Sequence, residues 1–132
     1  MQMEISFLGG VKVAAAFRDL TVVTDQSPAE GGDNTALSPF ELFLASLGTC
    51  AGYYVLKFCQ QRNIPTAGLR LVEHFDWDSA THMVRKIELE LQLPPDFPEQ
   101  YKSAVVRAAD LCTVRKHLLN PPEVLVTTTT AT

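Results

Sequence analysis

The chain has 132 residues, of which 46% are hydrophobic and 20% charged, and its formal net charge is −4. This length and composition are typical of one globular domain with its own hydrophobic core, so we expect a single domain over residues 1–132. The acidic balance, without any run of Lys or Arg, argues against a nucleic-acid partner. Residues 1–4 lack the basic and apolar regions of a secretory signal, so we expect a cytoplasmic protein in which a disulfide would be transient and catalytic.

The amino-terminal third predicts strands followed by a helix start. Short runs of β-forming residues predict three strands at about 3–8, 11–17 and 20–24. Turn-forming residues predict a loop over 26–37. Ser38-Pro39-Phe40-Glu41 then predicts a capping box, with Ser38 as the N-cap and Glu41 three positions later.

The predicted helix runs to about Arg62, with Asn63 as a left-handed terminator. It has no charge from 42 to 56, so other elements must cover nearly all of its surface. This apolar run is too short to span a bilayer, and Ser, Thr and Gly interrupt it, so we expect no membrane association. The rest of a chain of this size cannot bury all sides of such a long apolar helix, and we therefore expect a homodimer. Three small residues on one stripe would let a neighbour approach closely: Ala45, Gly48 and Gly52.

The second half predicts a sheet and further helices. Residues 69–77 and 86–93 alternate apolar and polar side chains, which is typical of strands with one buried and one solvated face. A helix is predicted from near Pro98 to Cys112, and a short helix that Thr113 caps runs to Leu119. Residues 123–127 predict a last strand. Because the strands mostly meet through hairpins, the fold class is α+β.

Three cysteines carry the chemical interest of the sequence. Cys50 and Cys59 share the long helix, but nine residues at about 100° each place them on opposite faces. Cys50 and Cys112 could meet across a contact between helices. A buried thiol with a second thiol brought to it suggests redox chemistry, whereas the alternative is that free cysteines only fill core space.

A family resemblance extends this interpretation. Gly31-Gly32, the run from Ser38 to Cys50 (SPFELFLASLGTC) and Leu111-Cys112-Thr113-Val114 resemble the OsmC/Ohr family of small thiol proteins, in its less-characterised branch. The resemblance implies an intertwined α+β homodimer in which antiparallel sheets wrap long central helices. It also implies reduction of organic hydroperoxides without a cofactor, with Cys50 as the peroxidatic thiol, Cys112 as the resolving thiol and a dithiol as the reductant.

The sequence departs from the peroxide-reducing members at the groups that activate the thiol. Those members carry a carboxylate ten residues before the first cysteine, paired with an arginine, and here Phe40 occupies that position. Ionisation of Cys50 in an apolar helix requires a nearby cation or several hydrogen-bond donors. We therefore predict Arg18 as the cation and Glu41 as the carboxylate that orients it. Arg115 is close to Cys112 in sequence, but a charge on the helix surface accounts for it more simply.

The predicted substrate is a small hydrophobic peroxide, because apolar side chains near the thiol would favour an alkyl peroxide over hydrogen peroxide. The residues expected to line its pocket are Phe40, Leu44 and Tyr54.

Other functions remain open at this point. The three histidines have no metal-ligand spacing with any cysteine, so we expect no metal site. A Cys–His hydrolase would need His74 beside Cys50, and a position on the solvated face of a strand accounts for His74 more simply. The main alternative is a non-catalytic dimer of the same fold that binds a small hydrophobic molecule between its subunits, with Cys50 as part of the lining.

Overall fold

The computed structural model describes residues 1–131, and the chain divides into two compact units, Met1–Ser46 and Leu47–Thr132. The long helix α1, Pro39–Gln61, begins in the first unit and continues into the second. Asn63 follows it with a positive φ of 54°, the left-handed terminator that the sequence predicts. The single domain expected from the sequence stays a prediction.

The first unit contains a three-stranded antiparallel sheet in chain order. Its strands are β1 (Glu4–Gly9), β2 (Lys12–Phe17) and β3 (Leu20–Thr24). The tight turn between β1 and β2 needs glycine, because Gly9 and Gly10 have φ values of 105° and 56°. Apolar side chains of this sheet are exposed, with Phe7 at 86% and Leu20 at 64% of their full accessibility. The sheet therefore has apolar surface that the single chain leaves uncovered.

A buried aspartate organises the loop between β3 and α1. Asp25 is fully buried, and its Oδ2 accepts hydrogen bonds from the Thr35 hydroxyl at 2.7 Å, the Thr35 N–H at 3.0 Å and the Asp33 N–H at 3.2 Å. The Lys12 ammonium lies 3.8 Å from the same oxygen. The hydrogen bonds, led by that of the Thr35 hydroxyl, hold the pKa of Asp25 well below its ordinary value. Asp25 is therefore an ionised anchor for the loop that leads to α1.

The second unit contains most of α1, a β-hairpin and two short helices. The hairpin pairs β4 (Arg70–Asp78) with β5 (Met83–Gln92) in an antiparallel register. A 3₁₀ turn at Glu99–Tyr101 leads into α2 (Lys102–Ala109), and α3 (Thr113–Leu119) follows. Helices and antiparallel strands in this order form the α+β class that the sequence predicts.

Two buried clusters form the core of this unit. The first contains Val55, Phe58, Cys59, Ile64, Phe97, Val105 and Ala108. The second contains Leu47, Ala51 and Cys112, and partly buried residues pack on it: Cys50, Leu71, Ile87, Leu89, Ala109 and Val114. The two cysteines of the predicted pair therefore share one cluster, and Cys59 lies in the other.

The prediction of a last strand over 123–127 is wrong for the chain as described. Residues 121–131 contain neither helix nor strand, and Val124 and Val126 are 81% and 96% exposed. The apolar pattern suits a strand, but a strand forms only where a neighbour completes its backbone hydrogen bonds. Within residues 1–131 no strand pairs with this segment.

The prediction of one continuous helix from Pro98 to Cys112 is also wrong. Helix α2 ends at Ala109, and Cys112 has the extended backbone of an N-cap, with ψ of 121°. Its sulfur accepts the Arg115 N–H at 3.4 Å, so Cys112, and not Thr113, caps α3. Sulfur is a weak acceptor, which is why N-cap preferences based on oxygen side chains pointed to Thr113.

Helix α1 is the one helix of residues 1–131 that is long and apolar enough to cross a membrane. This statement concerns length and composition only, and the core helix of a soluble protein meets the same criteria. Ser46, Gly48, Thr49 and Gly52 interrupt its apolar surface, as noted from the sequence.

Candidate functional site

Cys50 and Cys112 come together where α1 meets the junction of α2 and α3. The cluster around them is apolar, with Leu47 and Ala51 buried on α1. The Cys112 side chain is fully buried, and the half-buried Cys50 packs on the cluster that contains it. Both thiols are free and close enough to interact, which a disulfide exchange between them requires.

The first turn of α3 supplies hydrogen-bond donors to the Cys50 sulfur. Burial by itself raises the pKa of the Cys50 thiol. Hydrogen bonds from the Val114 N–H, the Cys112 thiol, the Thr113 N–H and the Thr113 hydroxyl outweigh that effect, and the pKa of Cys50 lies below its ordinary value. Neutral donors of this unit therefore make Cys50 easier to ionise than burial alone would allow.

Cys112 has the opposite character. Burial raises the pKa of its thiol, and the neighbouring Cys50 raises it further, although the Arg115 N–H acts in the other direction. The Leu47 carbonyl oxygen lies 3.8 Å from the Cys112 sulfur and is an alternative acceptor for the single thiol hydrogen. The surroundings therefore lower the pKa of one thiol, Cys50, and raise the pKa of the other, Cys112.

Tyr54 extends this arrangement by one turn of α1. Its hydroxyl lies 3.1 Å from the Thr113 Oγ1, and Thr113 is one of the residues whose donors lower the pKa of Cys50. Residues four apart share a helix face, which explains why Tyr54 and Cys50 approach the same turn of α3. Sequence analysis predicted Tyr54 as a pocket residue but missed Thr113 as a donor.

Cys59 has a structural environment. It is fully buried in the other cluster, and burial raises the pKa of its thiol. This separation agrees with the opposite helix faces derived from the nine-residue spacing.

The remaining predicted site residues belong to the first unit. Glu41 completes the capping box: its Oε1 accepts the Ser38 N–H at 2.9 Å, and its own N–H donates to the Ser38 Oγ at 3.2 Å. The Ser38 N–H also lowers the pKa of the Glu41 carboxyl. Arg18 lies in the turn after β2 with a φ of 57°, and its guanidinium lies 5.2 Å from the centre of the Phe17 ring. Their predicted action on Cys50 stays a prediction.

Phe40 and Leu44 follow on α1. Phe40 is 46% exposed and stacks on Phe43 with 5.6 Å between ring centres, whereas Leu44 is buried. Their predicted contact with a substrate likewise stays a prediction.

A cavity of about 560 Å³ opens beside the cysteine cluster in the second unit. Residues of β5, α2 and α3 line most of it, and Leu47, Ile87, Leu89 and Ala109 belong both to its wall and to the cluster around Cys112. Charged groups also line it: Arg85, Lys86, Asp110 and Arg115, of which Arg115 and Asp110 approach within 3.7 Å. The alternation in β5 predicted its apolar face, but sequence reasoning did not predict a cavity there.

Glu73 on β4 is a second group that sequence reasoning missed. Its Oε1 is buried and has no hydrogen-bond partner within residues 1–131, and burial raises its pKa. Its Oε2 would lie 2.7 Å from a Cβ placed on Gly48. The absent side chain at Gly48 is therefore what lets this carboxyl lie against α1.

Residues 1–131 hold no group of three His, Cys, Asp or Glu side chains placed to bind a metal ion.

Two solved structures share the fold of this chain, and a third is less similar. A crystal structure from Psychrobacter arcticus 273-4, whose name refers to osmotic stress induction and detoxification response, is 17% identical, with 88% of this chain and 86% of that chain covered and a TM-score of 0.74. A structure described only as structural genomics is 20% identical over 92% and 91% of the two chains, with a TM-score of 0.64. The organic hydroperoxide resistance protein OhrB of Bacillus subtilis is 19% identical over 89% and 90%, with a TM-score of 0.47.

The sequence comparisons supply the family. No curated protein matches the chain. A family model described as OsmC-like protein matches residues 31–127, a range that contains the Gly31-Gly32 pair, Cys50 and Cys112. The OsmC-like fold is a soluble one, and an apolar helix such as α1 is a core element in it. The chain belongs to the family of OsmC-like proteins.

Proposed function

We propose that this protein is a thiol-dependent peroxidase that reduces organic hydroperoxides, with Cys50 as the peroxidatic thiol and Cys112 as the resolving thiol. The observation that carries the proposal is that Cys50 and Cys112 share one buried cluster, where the surroundings lower the pKa of Cys50 and raise that of Cys112. Only a thiolate attacks a peroxide rapidly, and of the two thiols only Cys50 has surroundings that lower its pKa.

The proposed cycle has three steps. The Cys50 thiolate attacks the terminal peroxide oxygen, so that an S–O bond forms, the O–O bond breaks, and the departing alkoxide takes a proton and leaves as an alcohol. The Cys112 sulfur then attacks the Cys50 sulfenic acid, which forms the disulfide and releases water. A dithiol reductant opens the disulfide by exchange and is itself oxidised.

Neutral donors would sustain the thiolate in this mechanism. The N–H groups of Thr113 and Val114 and the Thr113 hydroxyl stabilise negative charge on the Cys50 sulfur. Arg18 and Glu41 stay as predicted additional contributors, for which Arg18→Ala provides a test through the alkylation rate of Cys50 at pH 7.

The apolar cavity supports an organic substrate. Its wall of β5 and α2 side chains is shared with the cysteine cluster, so an alkyl group held there would lie close to the thiols. Phe40, Leu44 and Tyr54 remain the predicted additional contacts. In a reducing cytoplasm, the predicted location, a dithiol would be available for the last step.

The same cavity favours a second function, binding of a small hydrophobic molecule without catalysis. In that case Cys50 and Cys112 would be part of the packing around the bound molecule. The two functions differ in one measurable property, the consumption of peroxide.

The test is a turnover assay with an alkyl hydroperoxide and a dithiol. We expect Cys50→Ser to abolish turnover and Cys112→Ser to stop after one oxidation of Cys50. Cys59→Ser is the matched control, because Cys59 lies in the other cluster, and it should retain turnover.

Peptide mapping after one equivalent of peroxide should find a Cys50–Cys112 disulfide within one chain. If the wild-type protein consumes no organic peroxide, the peroxidase proposal is wrong and the binding function takes its place. Cys59 as the main partner of either thiol would disprove the assigned pair.

A further inference from the structure

Cys50 and Cys112 differ in their access to solvent. Cys112 is fully buried, whereas Cys50 packs on the same cluster as a half-buried residue. The buried neighbours of Cys112 in this cluster are Leu47 and Ala51, and within residues 1–131 the wall of the cavity includes Leu47 but not Cys112. A second subunit could only add to this burial. The Cys112 sulfur is therefore closed to a reagent in solvent while the chain keeps this fold.

The Cys112 sulfur also has a main-chain donor. It accepts the Arg115 N–H at 3.4 Å as the N-cap of α3. A hydrogen bond to sulfur stabilises a thiolate more than a thiol, because the charged sulfur is the stronger acceptor. The buried sulfur is thus a place that can receive negative charge during a reaction.

The course of thiol–disulfide exchange depends on which of the two sulfurs is attacked. The incoming thiolate forms a bond to one sulfur, and the other sulfur leaves as a thiolate. Attack on Cys112 would make Cys50 the leaving group, and it requires the buried cluster to open, which core elements do least often. Attack on Cys50 would make Cys112 the leaving group, and it requires only the access that the peroxide itself needs at Cys50.

We propose that the dithiol reductant attacks the Cys50 sulfur of the oxidised protein and that Cys112 is the leaving group. The inference rests on the proposed function for the presence of a Cys50–Cys112 disulfide, and it assigns a reaction to each sulfur in the reducing half of the cycle. Arg115 acts through its main-chain N–H, which stabilises the departing thiolate. Cys50 then meets both the peroxide and the dithiol, while Cys112 meets neither.

The steps balance with one dithiol for each disulfide. The first thiolate of the reductant forms a bond to the Cys50 sulfur, the bond between Cys50 and Cys112 breaks, and its electron pair stays on the Cys112 sulfur, which takes a proton. The second thiolate of the reductant then attacks the reductant's own sulfur in the mixed disulfide, so that Cys50 leaves as a thiolate. The dithiol is oxidised to a disulfide, and the protein recovers both reduced sulfurs.

Leaving-group strength by itself favours attack on Cys112. Burial raises the pKa of the Cys112 thiol and the charge of a Cys50 thiolate adds to it, so Cys112 is the poorer leaving group of the two. In the mixed disulfide Cys50 carries no charge, and that part of the increase is absent. Burial and leaving-group strength can be separated by unfolding, because the burial of Cys112 exists only in the folded chain.

The experiment identifies the attacked sulfur by trapping the mixed disulfide. Diamide oxidises the Cys59→Ser protein to the Cys50–Cys112 disulfide, excess β-mercaptoethanol is added, acid stops the reaction at short times, and peptide mass spectrometry locates the adduct. A monothiol cannot close a ring, so the mixed disulfide persists. We expect adduct on Cys50 in about tenfold or greater excess over Cys112 in the folded protein, because the Cys112 sulfur reacts only through rare opening of the core.

The matched control is the same oxidised protein in urea, where both sulfurs are open to the thiol. There the adduct should divide between the two cysteines to similar extents, and Cys59→Ser removes the third thiol, which would scramble disulfides. Adduct mainly on Cys112 in the folded protein, or one distribution shared by the folded and unfolded protein, would overturn the inference. The folded measurement is repeated on the wild type, so that it holds even if Cys59→Ser weakens the core.

Failure of the proposed function has a different signature, because diamide forms the disulfide without any peroxidase activity. Adduct on Cys50 together with no peroxide turnover would overturn the peroxidase and support the inferred route of reduction. Peroxide turnover with adduct on Cys112 would overturn the inference alone. Absence of a Cys50–Cys112 disulfide after diamide treatment would overturn both.

Discussion

At the scale of single residues, the sequence predicted that Cys50 and Cys112 lie together, but not which groups donate hydrogen bonds to Cys50. Cys50 and Cys112 could be selected from the sequence, and helix phase separated Cys59 from them. The donors to Cys50 are largely main-chain N–H groups of Thr113 and Val114, which every residue carries, so no residue pattern marks them. The sequence also did not predict Cys112 as the N-cap of α3, because N-cap preferences concern oxygen side chains.

The loop before α1 shows a similar limit. The sequence predicted a loop over 26–37 but not the buried Asp25 that anchors it. A Cβ on Gly32 would clash with the Gln26 carbonyl oxygen, so only glycine allows this close approach. The Gly31-Gly32 pair of the predicted loop thus has a steric requirement at its second position.

The first prediction concerns Asp25. Its pKa is lowered in the folded protein, so its ionisation stabilises the fold above the pKa of the unfolded chain, about 3.9. That contribution is lost as the pH falls toward the folded-state pKa. Asp25→Asn should therefore be less stable than the wild type near pH 7, and the difference should shrink steadily below about pH 4.

Urea unfolding at several pH values measures this difference. Asp96→Asn is the control, since Asp96 is exposed, and it should leave the pH dependence unchanged. A difference between Asp25→Asn and wild type that stays constant from pH 7 to pH 3 would disprove the role of Asp25 as an ionised anchor.

At the scale of elements, local sequence signals predicted where helices begin and end better than they predicted which strands pair. The capping box at Ser38 and Glu41 forms as predicted, because it depends on residues three apart. The strand over 123–127 does not form within the chain, because a strand depends on a partner that local sequence does not specify. The sharp alternation in β5 succeeded since its hairpin partner β4 is close in sequence.

The second prediction concerns Gly52 on α1. A Cβ on Gly52 would meet no atom within 4 Å in the chain as described. Replacing a mid-helix glycine by leucine gains about 1 kcal/mol of helix propensity, so Gly52→Leu would be neutral or stabilising in an isolated chain. If a second subunit packs on the stripe of Ala45, Gly48 and Gly52, Gly52→Leu should instead cost about 1–3 kcal/mol by overpacking.

Because we expect a homodimer, we expect Gly52→Leu to lower the stability of the protein. Chemical unfolding with sedimentation of Gly52→Leu measures both the stability and the subunit association, and Gly52→Ala provides a smaller step at the same position. Unchanged association together with higher stability for both variants would show that this face of α1 is open to solvent.

At the scale of the whole molecule, the distribution of apolar residues is more informative than their amount. The hydrophobic content of 46% is ordinary, yet large apolar side chains in both units are exposed. Phe7 is 86% exposed in the first unit, and Trp77 and Leu119 are 55% and 64% exposed in the second. Exposed apolar surface of this extent marks an interface more often than a free surface. Composition alone could not predict this, because it does not record which side chains the fold leaves outside.

The last prediction is therefore that the protein is a homodimer without a stable folded monomer. Sedimentation at micromolar concentration should give twice the 14.5 kDa of one chain. The urea midpoint should rise with protein concentration, because dissociation accompanies unfolding in an obligate dimer. Both results should persist with excess reductant, which excludes an intermolecular disulfide between the free cysteines as the link. A folded species of 14.5 kDa whose urea midpoint does not depend on concentration would contradict the dimer, and the exposed side chains of both units would then be true surface.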